Sequence, residues 1–309
     1  MNIIVFPGQG SQKIGMGKEL SDNFAEAKQV FEEVNDALNF HLTRVMWDGT
    51  DKEIALTSNA QPALMACSIA TLKVLNKITN KNLSDLACYV CGHSLGEYSA
   101  MTAAEVFSLS QCATLLRLRG DAMQKAVPIG KGAMAALIGT NIEMAVKVVD
   151  KVKCYGVCDI ANDNSQGQVV ISGDILAVEN AMKFSKDFGI KKAILLPVSA
   201  PFHCKLMRPA QIIMEEALNK LNFKTPLIPI ISNVNVLPEN NPDKLRKNLI
   251  DQVTGTVRWR ETMEFAEKKG IKKIIELGSG KVLTGIAKRM IKDIVTINIE
   301  NTEDFKNFI

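Results

Sequence analysis

Short apolar runs that stop at a glycine turn recur along the chain, and helical patterns follow them. Ile3 to Phe6 is the first such run and ends at Pro7-Gly8. Leu86 to Cys91, with its Tyr and Val, reads as a buried strand. It meets the turn Gly92-His93-Ser94-Leu95-Gly96, and Leu95 to Ala104 continues as a helix of small and apolar residues. Near the C-terminus Ile271 to Leu277, the turn Gly278-Ser279-Gly280 and the helical stretch Lys281 to Ile291 repeat the rhythm. Strands alternating with helices predict α/β layering with a mainly parallel sheet.

The middle of the chain has another order. Gly132 to Thr140 is strand-like and Ile142 to Lys151 helix-like. Cys154 to Ile160 is a second strand, Asn162 to Gly167 a turn, and Gln168 to Ser172 a third strand. Ile175 to Asp187 is a helix and Lys191 to Val198 a fourth strand. This β-α-β-β-α-β order is the ferredoxin-like pattern. The expected fold class is therefore α/β: a hydrolase-like core with a mainly parallel sheet, from residues 1–125 and 198–309, and an inserted ferredoxin-like subdomain at 126–197.

Composition narrows the classes. The 309 residues correspond to roughly two domains, and 47% hydrophobic with 23% charged is an ordinary globular mixture. Lys plus Arg at 37 against Asp plus Glu at 33 gives +4, too mild for a dedicated nucleic-acid binder. The N-terminus lacks a basic n-region, and its apolar run is shorter than a signal sequence requires. No stretch approaches the ~18 apolar residues of a membrane span. Seven scattered Cys argue for reduced thiols, so a cytoplasmic protein without a membrane or nucleic-acid partner is expected.

Gly92-His93-Ser94-Leu95-Gly96 fits G-x-S-x-G, with the strand before and helix after that a nucleophile elbow requires. A plain strand-to-helix glycine turn would have the same letters. A serine nucleophile needs a base, and the chain has three His. His93 adjoins Ser94, where neighbouring side chains diverge, so packing is expected of it. His41 has no partner in its surroundings. His203 follows a predicted strand in Val198-Ser199-Ala200-Pro201-Phe202-His203-Cys204, at a strand end where α/β folds place chemistry. It is the base by elimination. No acid between them has a setting that marks a third triad member. Arg119 shares a helix with Arg117 and Lys125 and, by itself, reads as part of a solvated face.

Gly278-Ser279-Gly280-Lys281 fails as a phosphate loop, because Ile275 and Val282 stand where Gly and Ser or Thr are needed. It reads as a helix-starting turn. Cys154 and Cys158 have ligand-like spacing without a second pair, so no metal is expected. Cys204 and the scattered Met residues read as packing.

Taken together, the chain resembles the malonyl-CoA:acyl carrier protein transacylases, the acyltransferases of type II fatty acid synthesis. The resemblance runs nearly end to end. It rests on Phe6-Pro7-Gly8-Gln9-Gly10-Ser11-Gln12, Gly92-His93-Ser94-Leu95-Gly96-Glu97-Tyr98, Arg119-Gly120, Gly132-Ala133-Met134-Ala135-Ala136, Asn162 to Gly173, Pro201-Phe202-His203, Gln252 with Trp259, and Gly278-Ser279-Gly280-Lys281-Val282-Leu283.

The resemblance implies roles. Ser94 would carry the malonyl group, and His203 would act as base and acid, oriented by a backbone carbonyl near Gln252. The amides of Gln9 and Leu95 would form the oxyanion hole. Arg119 would bind the malonyl carboxylate, with Gln9, Phe202 and Asn162 also against the substrate. Bacterial members often have Ser before the His. Related polyketide acyltransferases that select malonyl carry Phe there, which implies that Phe202 excludes an α-methyl group. Malonyl-CoA and an acidic acyl carrier protein would be the partners, with no cofactor, and the protein would be a monomer. A serine hydrolase would instead show a triad acid and no carboxylate-binding arginine. A non-catalytic carrier-binding module would not need Ser94 and His203.

Overall fold

The computed structural model describes residues 1–198, 200–306 and 308. Its strands, in chain order, are β1 (Asn2–Phe6), β2 (Tyr89–Gly92), β3 (Gly132–Ile138), β4 (Cys158–Ser165), β5 (Gln168–Asp174), β6 (Lys192–Leu195), β7 (Ile230–Ile231), β8 (Pro238–Glu239), β9 (Lys273–Leu277) and β10 (Val295–Ile299). They form two sheets. The larger has the order β10-β9-β1-β2-β7-β8 and is parallel except for the β7–β8 pair. β1 lies inside it, and its run Ile3-Ile4-Val5-Phe6 is buried on both faces. Helices cover such a sheet on both sides, which is why the strand is apolar throughout rather than alternating.

The smaller sheet has the antiparallel order β4-β5-β3-β6. Here the side chains alternate. Ala133, Ala135 and Leu137 of β3 pack with the helices Ile142–Lys151 and Ile175–Phe184, whereas Met134 and Ala136 face the main core. The period of two lets one strand serve two hydrophobic layers.

Several boundaries differ from the sequence reading. A capping box between Asn82 and Asp85 starts a short helix Leu83–Leu86, so β2 begins at Tyr89. The expected strand Cys154 to Ile160 begins instead at Cys158 and runs to Ser165, through residues expected to form a turn. Two register shifts in the β4–β5 pairing accommodate them. Their polar groups have tertiary partners: Asp163 forms an ion pair with Arg260 at 2.8 Å, and its amide donates to the Val257 carbonyl. Partners distant in sequence override the turn preference of Asn and Asp. The helix expected to reach Asp187 ends at Phe184. No helix among the described residues is long and apolar enough to cross a membrane.

Candidate active site

Three neighbouring parallel strands end together, and their following loops build the site. The β1–β2 register pairs Phe6 with Gly92, which sets Pro7-Gly8-Gln9 beside His93-Ser94. A Cβ at Gly8 would lie 2.7 Å from the His93 carbonyl oxygen, so only glycine allows this approach. On the other side of β2, β7 leads into Ser232 and Asn233. Carboxyl ends of parallel strands are where such folds place ligands.

Ser94 has φ 53 and ψ −110, a conformation that a side-chain-bearing residue adopts only when its surroundings force it. Gly92 and Gly96 make the bend possible. A Cβ at Gly92 would meet the Gly96 backbone at 2.0 Å, and one at Gly96 would meet the Phe6 carbonyl oxygen at 2.2 Å. Asn233 pins the bend, with Oδ1 accepting from the Ser94 amide at 2.8 Å and Nδ2 donating to the Gly92 carbonyl at 2.7 Å. Helix Leu95–Ala103 starts immediately after. The Gly96 and Glu97 amides are consumed by the His93 and Ser94 carbonyls, and the Leu95 amide heads the helix.

His203 Nε2 lies 2.7 Å from Ser94 Oγ, and its Nδ1 lies 2.9 Å from the Gln252 backbone carbonyl oxygen. A carbonyl only accepts, so Nδ1 carries the proton and Nε2 is the lone-pair nitrogen facing the hydroxyl. Gln252 ends the helix Pro242–Gln252, whose last carbonyls lack partners within the helix and carry its partial negative charge. Burial, and next the charge of Arg119, push the His203 imidazole down to about 3. Ser199, in the loop that leads to it, lies outside the described residues.

Arg119 is 1% exposed, not part of a solvated face. Helix Leu109–Lys125 lies so close to helix Thr57–Thr79 that a Cβ at Gly120 would sit 2.6 Å from the Ser58 Cα. That contact turns the neighbouring Arg119 inward. It donates to Gln61 Oε1 at 2.8 Å, Gln252 Oε1 at 2.9 Å and Ser94 Oγ at 3.2 Å. Among the described residues it makes no ion pair. Burial pushes its guanidinium down from the ordinary value, opposed by Tyr98 and Glu97. Arg117, two residues earlier and on the opposite side of the helix, remains half-buried and donates to Asn59 Oδ1 at 2.7 Å.

Ser94, His203 and Arg119 share a cavity of about 720 Å³ with Gln9, Phe202 and Asn162. Leu95 contributes only its backbone, since its side chain is buried in the core. His93 packs on Trp259 with ring centroids 5.7 Å apart and pairs through Nε2 with Asn164 Oδ1 at 2.9 Å, away from the Ser94 hydroxyl. At the Gly278-Ser279-Gly280 turn, Glu276 accepts from the Leu283 and Thr284 amides, so a carboxylate already occupies the helix head where a phosphate would bind. Cys204 is fully buried, and its thiol donates to the Pro201 carbonyl.

The acyl transferase domain model matches residues 3–305. The chain belongs to the acyl transferase family. It is 41% identical over 300 residues to the malonyl CoA-acyl carrier protein transacylase of Bacillus subtilis, covering 97% of this chain and 93% of that protein. Among solved structures, the acyl-carrier-protein-S-malonyltransferase of Bartonella henselae is similar with a TM-score of 0.97 and 48% identity, covering 99% and 98% of the two chains. A malonyl-transacylase solved in complex with a type II polyketide synthase acyl-carrier protein is similar at 0.95, with 38% identity and coverage of 99% and 98%.

Several members of this acyltransferase site were not found by reading the sequence. Gln61 lies in a largely apolar buried helix, Asn233 follows a two-residue strand, and Glu97 sits inside the elbow helix. Gln61 and Glu97 are polar residues in buried helices, a faint signal, and Asn233, between Ser232 and Val234-Asn235, carries none.

Proposed function

We propose that this acyltransferase moves the malonyl group from malonyl-CoA to the phosphopantetheine thiol of an acyl carrier protein, in fatty acid biosynthesis, through an ester on Ser94. Ser94 Oγ attacks the thioester carbonyl while His203 Nε2 takes its proton. The oxyanion that forms faces the amides of Leu95 and Gln9. Loss of one such donor costs ~3 kcal/mol of transition-state stabilisation. The C–S bond then breaks, and His203 returns the proton to the departing CoA thiolate. In the second half His203 takes the carrier thiol's proton, the thiolate attacks the ester, and Ser94 regains its hydrogen.

Arg119 carries the substrate assignment. A guanidinium is the side chain best matched to a buried carboxylate, and this one is buried 3.2 Å from the nucleophile and makes no direct ion pair among the described residues. A simple esterase has no use for that cation. Phe202 lines the same cavity, and in this reading its ring limits the room at the α-carbon of the acyl group. No resident metal or organic cofactor enters this chemistry. The domain reading goes with it: residues 1–125 and 198–309 form a hydrolase-like core, and 126–197 a ferredoxin-like unit, supported by the strand order β4-β5-β3-β6.

The test is incubation with malonyl-CoA followed by mass spectrometry of the Ser94 peptide, then addition of holo carrier protein. A malonyl adduct that transfers to the carrier supports the reading. An adduct that only hydrolyses, or none, refutes it.

A further inference from the structure

Glu97 is fully buried, three residues after the nucleophile, and takes no part in the transfer described above. A carboxylate in such a place persists only when its oxygens are met by donors. Here all of them are. Ser232 Oγ donates to Oε1, while the Asn233 amide at 3.1 Å and Gln252 Nε2 at 2.7 Å donate to Oε2.

The contact with Gln252 has a consequence on the far side of that amide. The two ends of a glutamine amide are told apart only by their partners. Glu97 and the Ser94 carbonyl, at 2.9 Å, accept from Nε2, and Oε1 is therefore turned to Arg119 at 2.9 Å. Turned end for end, the amide would present N–H groups to a guanidinium, donor against donor. The main chain of the same residue holds His203.

We propose that Glu97 is a positioning residue that fixes the orientation of the Gln252 amide and so aims Arg119 at the substrate carboxylate. This rests on the reading of Arg119 given above. A residue that merely stabilised the fold would affect every acyl group alike. A residue acting through Gln252 and Arg119 affects the preference for malonyl over acetyl.

The experiment compares kcat/KM for malonyl-CoA and acetyl-CoA in the full-length enzyme and its variants, each checked for folding by thermal melting. Glu97→Leu removes the acceptor and should lower the malonyl-over-acetyl preference roughly tenfold. Glu97→Gln should restore it, because its carbonyl can accept from Gln252 while its amide donates to Ser232. In an Arg119→Ala background, Glu97→Leu should leave the ratio unchanged. Glu97→Ala, read in the same way, replaces the leucine variant if that does not fold. An equal fall for both acyl groups, a Gln variant as damaged as the Leu variant, or a ratio change that persists without Arg119 would overturn the proposal. If the wild type esterifies Ser94 and Arg119→Ala loses selectivity, such results count against Glu97 alone. If Arg119→Ala keeps its selectivity, the reading of Arg119 and this proposal fall together.

Discussion

His203 Nδ1 donates its proton to the backbone carbonyl of Gln252 at 2.9 Å, in the place where serine enzymes commonly hold a carboxylate. The acceptor is a buried carbonyl at the C-terminal dipole end of a helix, so it fixes the imidazole tautomer without adding a full negative charge. The base is thus set by the main chain. His203→Ala is expected to slow esterification of Ser94 by roughly 10²–10⁴, the usual contribution of a positioned base. Rapid-quench measurement of the acyl-enzyme tests this, and a near-wild-type rate would exclude His203 as the base.

Arg119→Ala should impair malonyl transfer far more than acetyl transfer. Charge-assisted hydrogen bonds contribute roughly 1.5–3 kcal/mol each, so loss of one corresponds to about a ten- to hundredfold change in the ratio of kcat/KM values. Equal losses with the two thioesters would show that the guanidinium only supports the fold.

The same substitution should alter the pH profile. Burial and the Arg119 cation both hold the His203 imidazole below its ordinary value, at about 3. Removing the cation lets the imidazole bind a proton at higher pH. The acid limb of kcat/KM for acetyl-CoA should therefore move upward in Arg119→Ala, and an unmoved or lowered limb would contradict the coupling.

Folding stability is linked to the same group. The unfolded imidazole titrates at ~6.5, whereas burial and then the Arg119 charge push the folded one down to about 3, so unfolding takes up a proton between those values. The contribution of His203 to stability is full above the higher value and declines as the pH falls towards the lower one. His203→Gln should reduce the loss of stability across that window, as read by denaturant titrations at several pH values.

Phe202→Ser should admit methylmalonyl-CoA. Discrimination against one methyl group by a pocket amounts to ~1–3 kcal/mol, and the change would appear as a raised kcat/KM for methylmalonyl relative to malonyl. Unaltered selectivity would reduce Phe202 to local packing.

Gly96→Ala should be among the most damaging small substitutions. Its Cβ would lie 2.2 Å from the Phe6 carbonyl oxygen, a backbone atom of a central strand that cannot give way. A loss of roughly 3–5 kcal/mol is expected, and a melting curve like that of the wild type would show that the elbow relaxes.

What the sequence determined by itself is what short-range chemistry encodes. The run Ile3 to Phe6, the glycines around Ser94 and the apolar stretch from Gly132 to Thr140 are local signals, and each names an element because strand and turn preferences are properties of the neighbouring residues. The nucleophile and base could be picked out too, since a strand-to-helix elbow is local and only three His were available. Tertiary structure decided the rest. Arg119 reads as one more surface cation until Gly120 brings two helices together and turns it inward. Asn162 to Ser165 read as a turn until Arg260 and Val257 supply their partners. The Gln252 carbonyl has no side-chain signature at all, because every residue has one. Whether a polar group is buried, and what then meets it, depends on segments that the fold brings together from distant parts of the chain, and no local pattern records that.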